Sequence, residues 1–303
     1  NWCTTDACNA FNSDIFVDLA NNASNDRFYG RLQVERAFDE TLATATITLD
    51  GDDYALSSIS ENTDDLTVTC TNTDSTNDPV QVSRFTSALT IAGNNVDFTN
   101  CEFASTVEVT DENSSFTNGS ITGIATVTAN ADETTFDSVD LANNLVANGK
   151  VIIQNSTDIT GTLTLNGANS SVDASTLNST TDVGATGITI ENSTIKATVD
   201  IAANNVDINT NDFILTNTDT GITSSGGADS LDTASIVDNT FRAHTQGQSY
   251  TGIDLGNQFS GALTLTNNDM STATNDVITI GIQLASGNAT ITASNLFSNN
   301  DTG

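Results

Sequence analysis

Apolar and polar residues alternate along most of this chain in short stretches, and the stretches recur in register. One series reads Val96-Asp97-Phe98-Thr99-Asn100 then Phe103, Phe116-Thr117-Asn118 then Ile121, and Phe136-Asp137-Ser138 then Leu141. It continues through Val151 to Ile159, Ile188 to Ile195 and Val206 to Phe213, and ends with Ile236 to Phe241 and Leu263 to Met270. A small residue marks a corner in each: Asn100, Asn118, Ser138, Asn155, Ala174, Asn192, Thr210, Asp238 and Asn267. The corners step by about 18 residues and widen to about 28 towards the C-terminus. A second series runs in phase: Leu89-Thr90-Ile91, Val107-Glu108-Val109, Val127-Thr128-Ala129, Leu145-Val146-Ala147, Leu163-Thr164-Leu165 and Val199-Asp200-Ile201. Turn formers such as Gly93-Asn94-Asn95 and Ala203-Asn204-Asn205 follow its members, because Gly and Asn tolerate positive φ. A third series, at Thr220-Gly221-Ile222, Thr251 to Leu255 and Ile280 to Leu284, recurs about every 30 residues.

Alternation with a period of two is strand periodicity. The outward partner is very often Thr, whose branched Cβ suits an exposed strand face. No stretch is long enough to form a domain alone. Stacking each strand on its copy in the next repeat buries the alternate apolar residues in one core. A β-sandwich has no reason to keep phase over six repeats. The fold class expected is therefore all-β, a parallel β-helix (β-solenoid) over residues 43–303. Residues 1–42 form an N-terminal arm and a cap. Within them, Phe28, Leu32, Val34, Ala37, Phe38 and Leu42 alternate with Arg27, Arg31, Glu35, Arg36, Asp39 and Glu40, a pattern that predicts an amphipathic cap helix over 25–42.

The string Ile236 to Phe241, the segment Gly252 to Leu255 and the string Leu263 to Met270 resemble the right-handed parallel β-helix repeats of pectate-lyase-like and surface-adhesin proteins. The resemblance covers roughly residues 43–303. It is specific for fold and unspecific for function, since lyases, epimerases, tailspikes and adhesins share it. Inward positions that come in pairs, and the wider late coils, favour the right-handed form over left-handed hexapeptide solenoids.

Charge changes the picture. The 303 residues carry 39 acidic against 7 basic side chains, a formal net charge of -32. Nucleic-acid binding needs Lys and Arg to displace phosphate counterions, and attraction to an anionic membrane surface needs them too. Neither is expected. No apolar run approaches the ~18 residues of a membrane span, so no membrane insertion is expected. Such charge would suggest disorder, but 37% of the residues are hydrophobic and periodic.

Residue 1 is Asn, with no leader before it, which reads as a mature secreted chain or a trimmed one. Cys3, Cys8, Cys70 and Cys101 fit an oxidising compartment, with Cys3–Cys8 and Cys70–Cys101 as the pairing suggested by proximity. Four Cys allow three connectivities, and buried thiols remain open. Zinc fits poorly, because neither close pair has metal-knuckle spacing and the only His is His244. Candidate glycosylation acceptors are Asn22, Asn113, Asn118, Asn155, Asn169, Asn178, Asn192 and Asn288. A chain this rich in Asn, Ser and Thr also produces such triplets by composition alone.

Catalytic chemistry is sparse. Lyase action on acidic polysaccharides needs a basic residue to take a proton, and Arg242 and His244, with Asp238 and Asp254 nearby in sequence, are the weak candidates. The surface would repel a polyanionic substrate. Candidate calcium ligands stand at Asp50, Asp52 and Asp53, with Asp64-Asp65 and Asp111-Glu112 as further oxygen clusters; no other cofactor is expected. Thr-x-Thr strings such as Thr46-Ile47-Thr48 and Thr67-Val68-Thr69 would suit an ice-binding array, but Glu108 and Asp200 break the series.

The C-terminal end offers no amphipathic cap after Ile291 to Phe297. The chain could continue, a polar loop could close the end, or another subunit could cover it. We expect the last: Ile291, Leu296 and Phe297 would meet the next copy, and the segment Ile15, Phe16, Val17 and Leu19 would serve as an exchanged arm. Unlike ends joined head-to-tail do not close, so they yield a filament. The function expected is a non-catalytic extracellular structural protein, either a filament subunit or an adhesin stalk. A homopolymer is its main partner and carbohydrate a second. The alternative is a polysaccharide-active, lyase-like β-helix enzyme.

Overall fold

A computed structural model describes residues 15–18, 27–29, 38, 46–49, 53–59, 64–71, 83–215, 220–225, 233–243, 250–271, 278–291 and 295. The chain forms two compact units, residues 1–143 and 144–303. Each is a parallel β-helix, with three sheets built by successive coils.

In the first unit, sheet I stacks Ser58–Ile59, Leu89–Ile91, Val107–Val109 and Ala125–Val127. Sheet II stacks Thr46–Leu49, Thr67–Cys70, Asp97–Thr99, Ser115–Thr117 and Thr134–Asp137. Sheet III stacks the short strands Asp53–Tyr54, Arg84–Phe85, Glu102–Phe103, Ser120–Ile121 and Asp140–Leu141. All these neighbours are parallel and in register, so like residues lie over like residues. Phe98, Phe116 and Phe136 therefore stack, with ring centroids 5.3 and 5.2 Å apart, and Phe85 stacks on Phe103 at 5.0 Å. All five are buried. Register alone converts a sequence repeat into an aromatic column.

The second unit repeats the plan with mainly aliphatic side chains and a stacked pair, Phe213 on Phe241, with centroids 4.6 Å apart. Sheet I runs through Leu145–Ala147, Leu163–Leu165, Thr181–Val183 and Val199–Ile201. It continues into Thr220–Thr223 and the long strands Tyr250–Thr266 and Ile278–Ile291. The third sequence series is thus the second one continued: Val199, Ile222, Ile253 and Ile282 form one file. Longer loops between them hid the phase. Sheet II holds Val151–Gln154, Ser171–Asp173, Thr189–Glu191, Val206–Asn209 and Ala234–Val237 before joining the long strands. Sheet III holds Asp158–Ile159, Thr176–Leu177, Thr194–Ile195, Asp212–Leu215 and Thr240–Ala243.

Corners fall where the sequence places them. Asn100, Asn118, Ser138, Asn155, Ala174, Asn192, Thr210, Asp238 and Asn267 all have positive φ, between 47° and 59°. Asn accommodates this region better than other residues with a Cβ. Glycine is demanded for a different reason at Gly119, where an added Cβ would stand 2.3 Å from the Cys101 carbonyl oxygen.

The cap differs from the expected helix. Arg27–Tyr29 form a strand, β2, paired antiparallel with β1, Ile15–Asp18. β1 in turn pairs antiparallel with the first coil strand, β3, Thr46–Leu49. An open parallel edge leaves backbone donors and acceptors unmet, and an antiparallel strand satisfies them. The aromatic pair Phe28-Tyr29 suits a strand as well as a helix face. Phe38 is helical and buried; the rest of 25–42 lies outside the described residues.

Candidate functional site

The lyase candidates are not assembled. Arg242 lies on sheet III beside Ile214, and its Nε donates to Asp212 Oδ1 at 2.8 Å while Nη2 meets Oδ2. A guanidinium held by a carboxylate in this way is a permanent cation and takes no proton. Asp254 stands on sheet I between Thr223 and Gln283, and Asp238 forms a corner whose N–H donates to the Thr266 carbonyl. His244 lies outside the described residues.

The acids have structural partners. Asp53 accepts from Arg84 Nε at 2.9 Å and from Nη2. Asp50 and Asp52 lie outside the described residues. Asp64 accepts from the Asn94 backbone, Asp65 from the Asn95 amide and Asp111 from the Glu112 backbone, so these pairs cap corners. Among the described residues no group of three His, Cys, Asp or Glu side chains is placed to hold a metal ion.

Register places like charges side by side on sheet I of the second unit. Asp182 and Asp200 are partners on adjacent sheet I strands. Burial, and secondarily the Asp200 carboxylate, hold the Asp182 carboxyl above its ordinary value of 3.8. A folded-state value above the unfolded one means that this group's stabilising contribution is present at low pH. It is lost as pH rises through the folded value. Asp182→Asn is therefore expected to stabilise the second unit at neutral pH by about 0.2–1 kcal/mol, the scale of a like-charge cross-strand pair. The gain should vanish below the ordinary carboxylate range. Denaturant midpoints at pH 7 and pH 3 check this; an equal gain at both would contradict it.

Cys70 and Cys101 form a disulfide between coils, with Cα atoms 5.0 Å apart. Cys3 and Cys8 lie outside the described residues. Among the sequons, Asn113, Asn118, Asn155, Asn169 and Asn192 are exposed corner residues with positive φ. Asn178 is half-buried. Its amide nitrogen donates to Asp158 and to the Ile159 carbonyl, and its oxygen accepts from Lys196 Nζ at 2.9 Å. Asn288 lies in the strand Ile278–Ile291, and Asn22 lies outside the described residues.

Sequence reading missed one feature: a ladder of buried polar residues in the second unit. Its members are Ser175, Ser193, Asn211, Asn239, Asn268 and Asn295, and the first five each directly follow a corner. Asn211 Oδ1 accepts the Ser193 N–H, Asn239 Oδ1 the Asn211 N–H, Asn268 Oδ1 the Asn239 N–H and Asn295 Oδ1 the Asn268 N–H. The amide nitrogens donate to the carbonyls of Ile190, Ile208, Ile236 and Leu265. Ser193 Oγ performs the accepting half for the Ser175 N–H. The signal was available as an Asn or Ser immediately after the corners at Ala174, Asn192, Thr210, Asp238 and Asn267.

The first and last described strands differ in how they are covered. Ile15, Phe16 and Val17, expected as an exchanged arm, pair with β3 of their own chain. In the long strands, Ile253 and Leu255 are fully buried, but Ile282 and Leu284, their partners one coil later, are half-exposed. Among the described residues, the strand Ile278–Ile291 pairs only with Tyr250–Thr266. Ile291 lies on it opposite Leu265; Leu19, Leu296 and Phe297 lie outside the described residues. No helix among the described residues is long and apolar enough to cross a membrane.

No family model, no curated protein and no solved structure matches this chain.

Proposed function

We propose that this protein is a secreted, non-catalytic structural β-helix of the pectate-lyase-like and surface-adhesin type. It serves as a subunit of a cell-surface or extracellular filament, or as an adhesin stalk. The observation that carries this reading is the change at one inward file. Ile253 and Leu255 are fully buried, whereas Ile282 and Leu284 in the last described coil are half-exposed. Apolar surface left partly exposed gains by burial, at about 25 cal/mol per Å². A second copy presented end-on supplies a surface of matching strand spacing. The Cys70–Cys101 disulfide supports an oxidising compartment.

Head-to-tail association must overcome self-repulsion of chains with a net charge of -32. Assembly is therefore expected to rise with ionic strength or calcium. Light scattering and negative-stain imaging of the full chain, in low salt, high salt and millimolar calcium, test this. Growing linear particles support the proposal, and Ile282→Lys with Leu284→Lys should abolish them. Monomers under every condition at high concentration would overturn it.

A further inference from the structure

The outward face of sheet II in the first unit carries an ordered array. Its first file is Thr46, Thr67, Asp97, Ser115 and Thr135; its second is Thr48, Thr69, Thr99, Thr117 and Asp137. Eight of these ten residues are Thr or Ser, and all ten are half-exposed. Between them Ile47, Val68, Phe98, Phe116 and Phe136 point inward and are buried, which fixes the direction of the flanking side chains. Of the residues that break the Thr series in the sequence, Glu108 belongs to sheet I of this unit and Asp200 to the second unit. Only the coil geometry separates the two sets.

In-register pairing gives the array two repeats: about 4.8 Å from strand to strand and about 6.7 Å between alternate residues of one strand. Both lie close to the oxygen spacings of the prism face of hexagonal ice. Thr also supplies the two groups that such a lattice needs, a hydroxyl that substitutes for a lattice water and a methyl that orders the waters beside it. Branching at Cβ holds the side chain in few rotamers, so little entropy is lost on contact. The two acids are held by neighbouring hydroxyls: Asp97 accepts from Ser115 Oγ beside it on the array, and Asp137 accepts from Ser138 Oγ at 2.9 Å.

We infer that this face is an ice-binding surface. Crystalline polysaccharide fits less well, because sugar rings are held by stacking on aromatic side chains and none of the ten outward residues is aromatic. Polyanionic surfaces are disfavoured by the charge of the chain. The inference is independent of filament assembly, since it uses a lateral face rather than an end.

The test uses the full chain with ice itself as the probe. Thermal hysteresis and inhibition of ice recrystallisation are measured for the wild type, for Thr69→Tyr with Thr99→Tyr on the array, and for Thr126→Tyr on sheet I. Circular dichroism confirms that each variant is folded. The expected result is activity in the wild type and in Thr126→Tyr, and loss to the buffer baseline in the array variant. Three results would overturn the inference: no activity in the wild type, activity retained by a folded array variant, or retention on crystalline chitin or cellulose without retention on ice. If the array variant fails to fold, Thr99→Lys alone takes its place, with the same expected loss.

Discussion

Asn239→Ala is expected to destabilise residues 144–303 by about 2–6 kcal/mol, because it strands at least two buried polar groups at about 1–3 kcal/mol each. Asn239 is fully buried. Its Oδ1 accepts the Asn211 N–H at 2.9 Å and the Asn211 amide at 3.1 Å, and its Nδ2 donates to the Ile208 carbonyl at 2.7 Å. Alanine leaves these groups in the interior without their side-chain partner. Buried networks lose more than the sum of their pairs when one member is removed. Asn239→Ser should cost less, since Ser193 already shows that a hydroxyl can accept the neighbouring N–H. Chemical denaturation followed by far-UV circular dichroism gives the size of the loss. Amide exchange gives its location, and the Asn211 amide should lose protection first. Coils contact mainly their neighbours, so damage at one rung spreads along the stack only as far as the interfaces transmit it. A loss below about 1 kcal/mol for Asn239→Ala would mean the ladder is ornamental, as for a solvent-satisfied hydrogen bond.

Phe116→Ala is expected to cost the first unit about 3–5 kcal/mol, the usual range for a phenylalanine removed from a packed core. Phe116 lies between Phe98 and Phe136 in a stacked column and meets Phe103 edge-on, with centroids 5.6 Å apart. Truncation removes three ring contacts and opens a cavity that is hard to close, because the Phe116 strand is pinned in register on both sides. Phe116→Leu should recover about half the loss, as it refills volume without restoring the ring faces. Denaturant midpoints of the three proteins rank them. A Leu variant as weak as the Ala variant would show that ring geometry, rather than volume, governs the column. The two predictions probe one device in two chemistries. Parallel in-register stacking repeats whatever stands at a position, be it an amide ladder or an aromatic column.

Much of this was legible along the chain. The pairs Phe98 and Thr99, Phe116 and Thr117, and Ile208 and Asn209 announce which residue faces in and which faces out. The corner positions were legible from small residues recurring at a fixed phase, and the structure shows their left-handed backbone. The cap was less legible. Arg27, Phe28 and Tyr29 fit a helix face as well as a strand, and only the unmet edge of Thr46–Leu49 decided the matter. The ladder was visible as letters and not as function, because an Asn after a corner reads as a turn residue until burial is known.

Period and composition, properties of neighbouring residues, thus determined the solenoid, its inward and outward sets, its corners and its charge. The tertiary structure decided what depends on residues far apart in the chain. It closed Cys70 on Cys101 and set Arg242 against Asp212. It joined Val199, Ile222, Ile253 and Ile282 in one file despite unequal loops. It also put Thr48, Thr69, Thr99 and Thr117 on one face, with Glu108 on another. The physical reason is that local alternation fixes which way a side chain points, whereas which strands become neighbours depends on coil length. Coil length is set by loops whose residues carry no periodic signal.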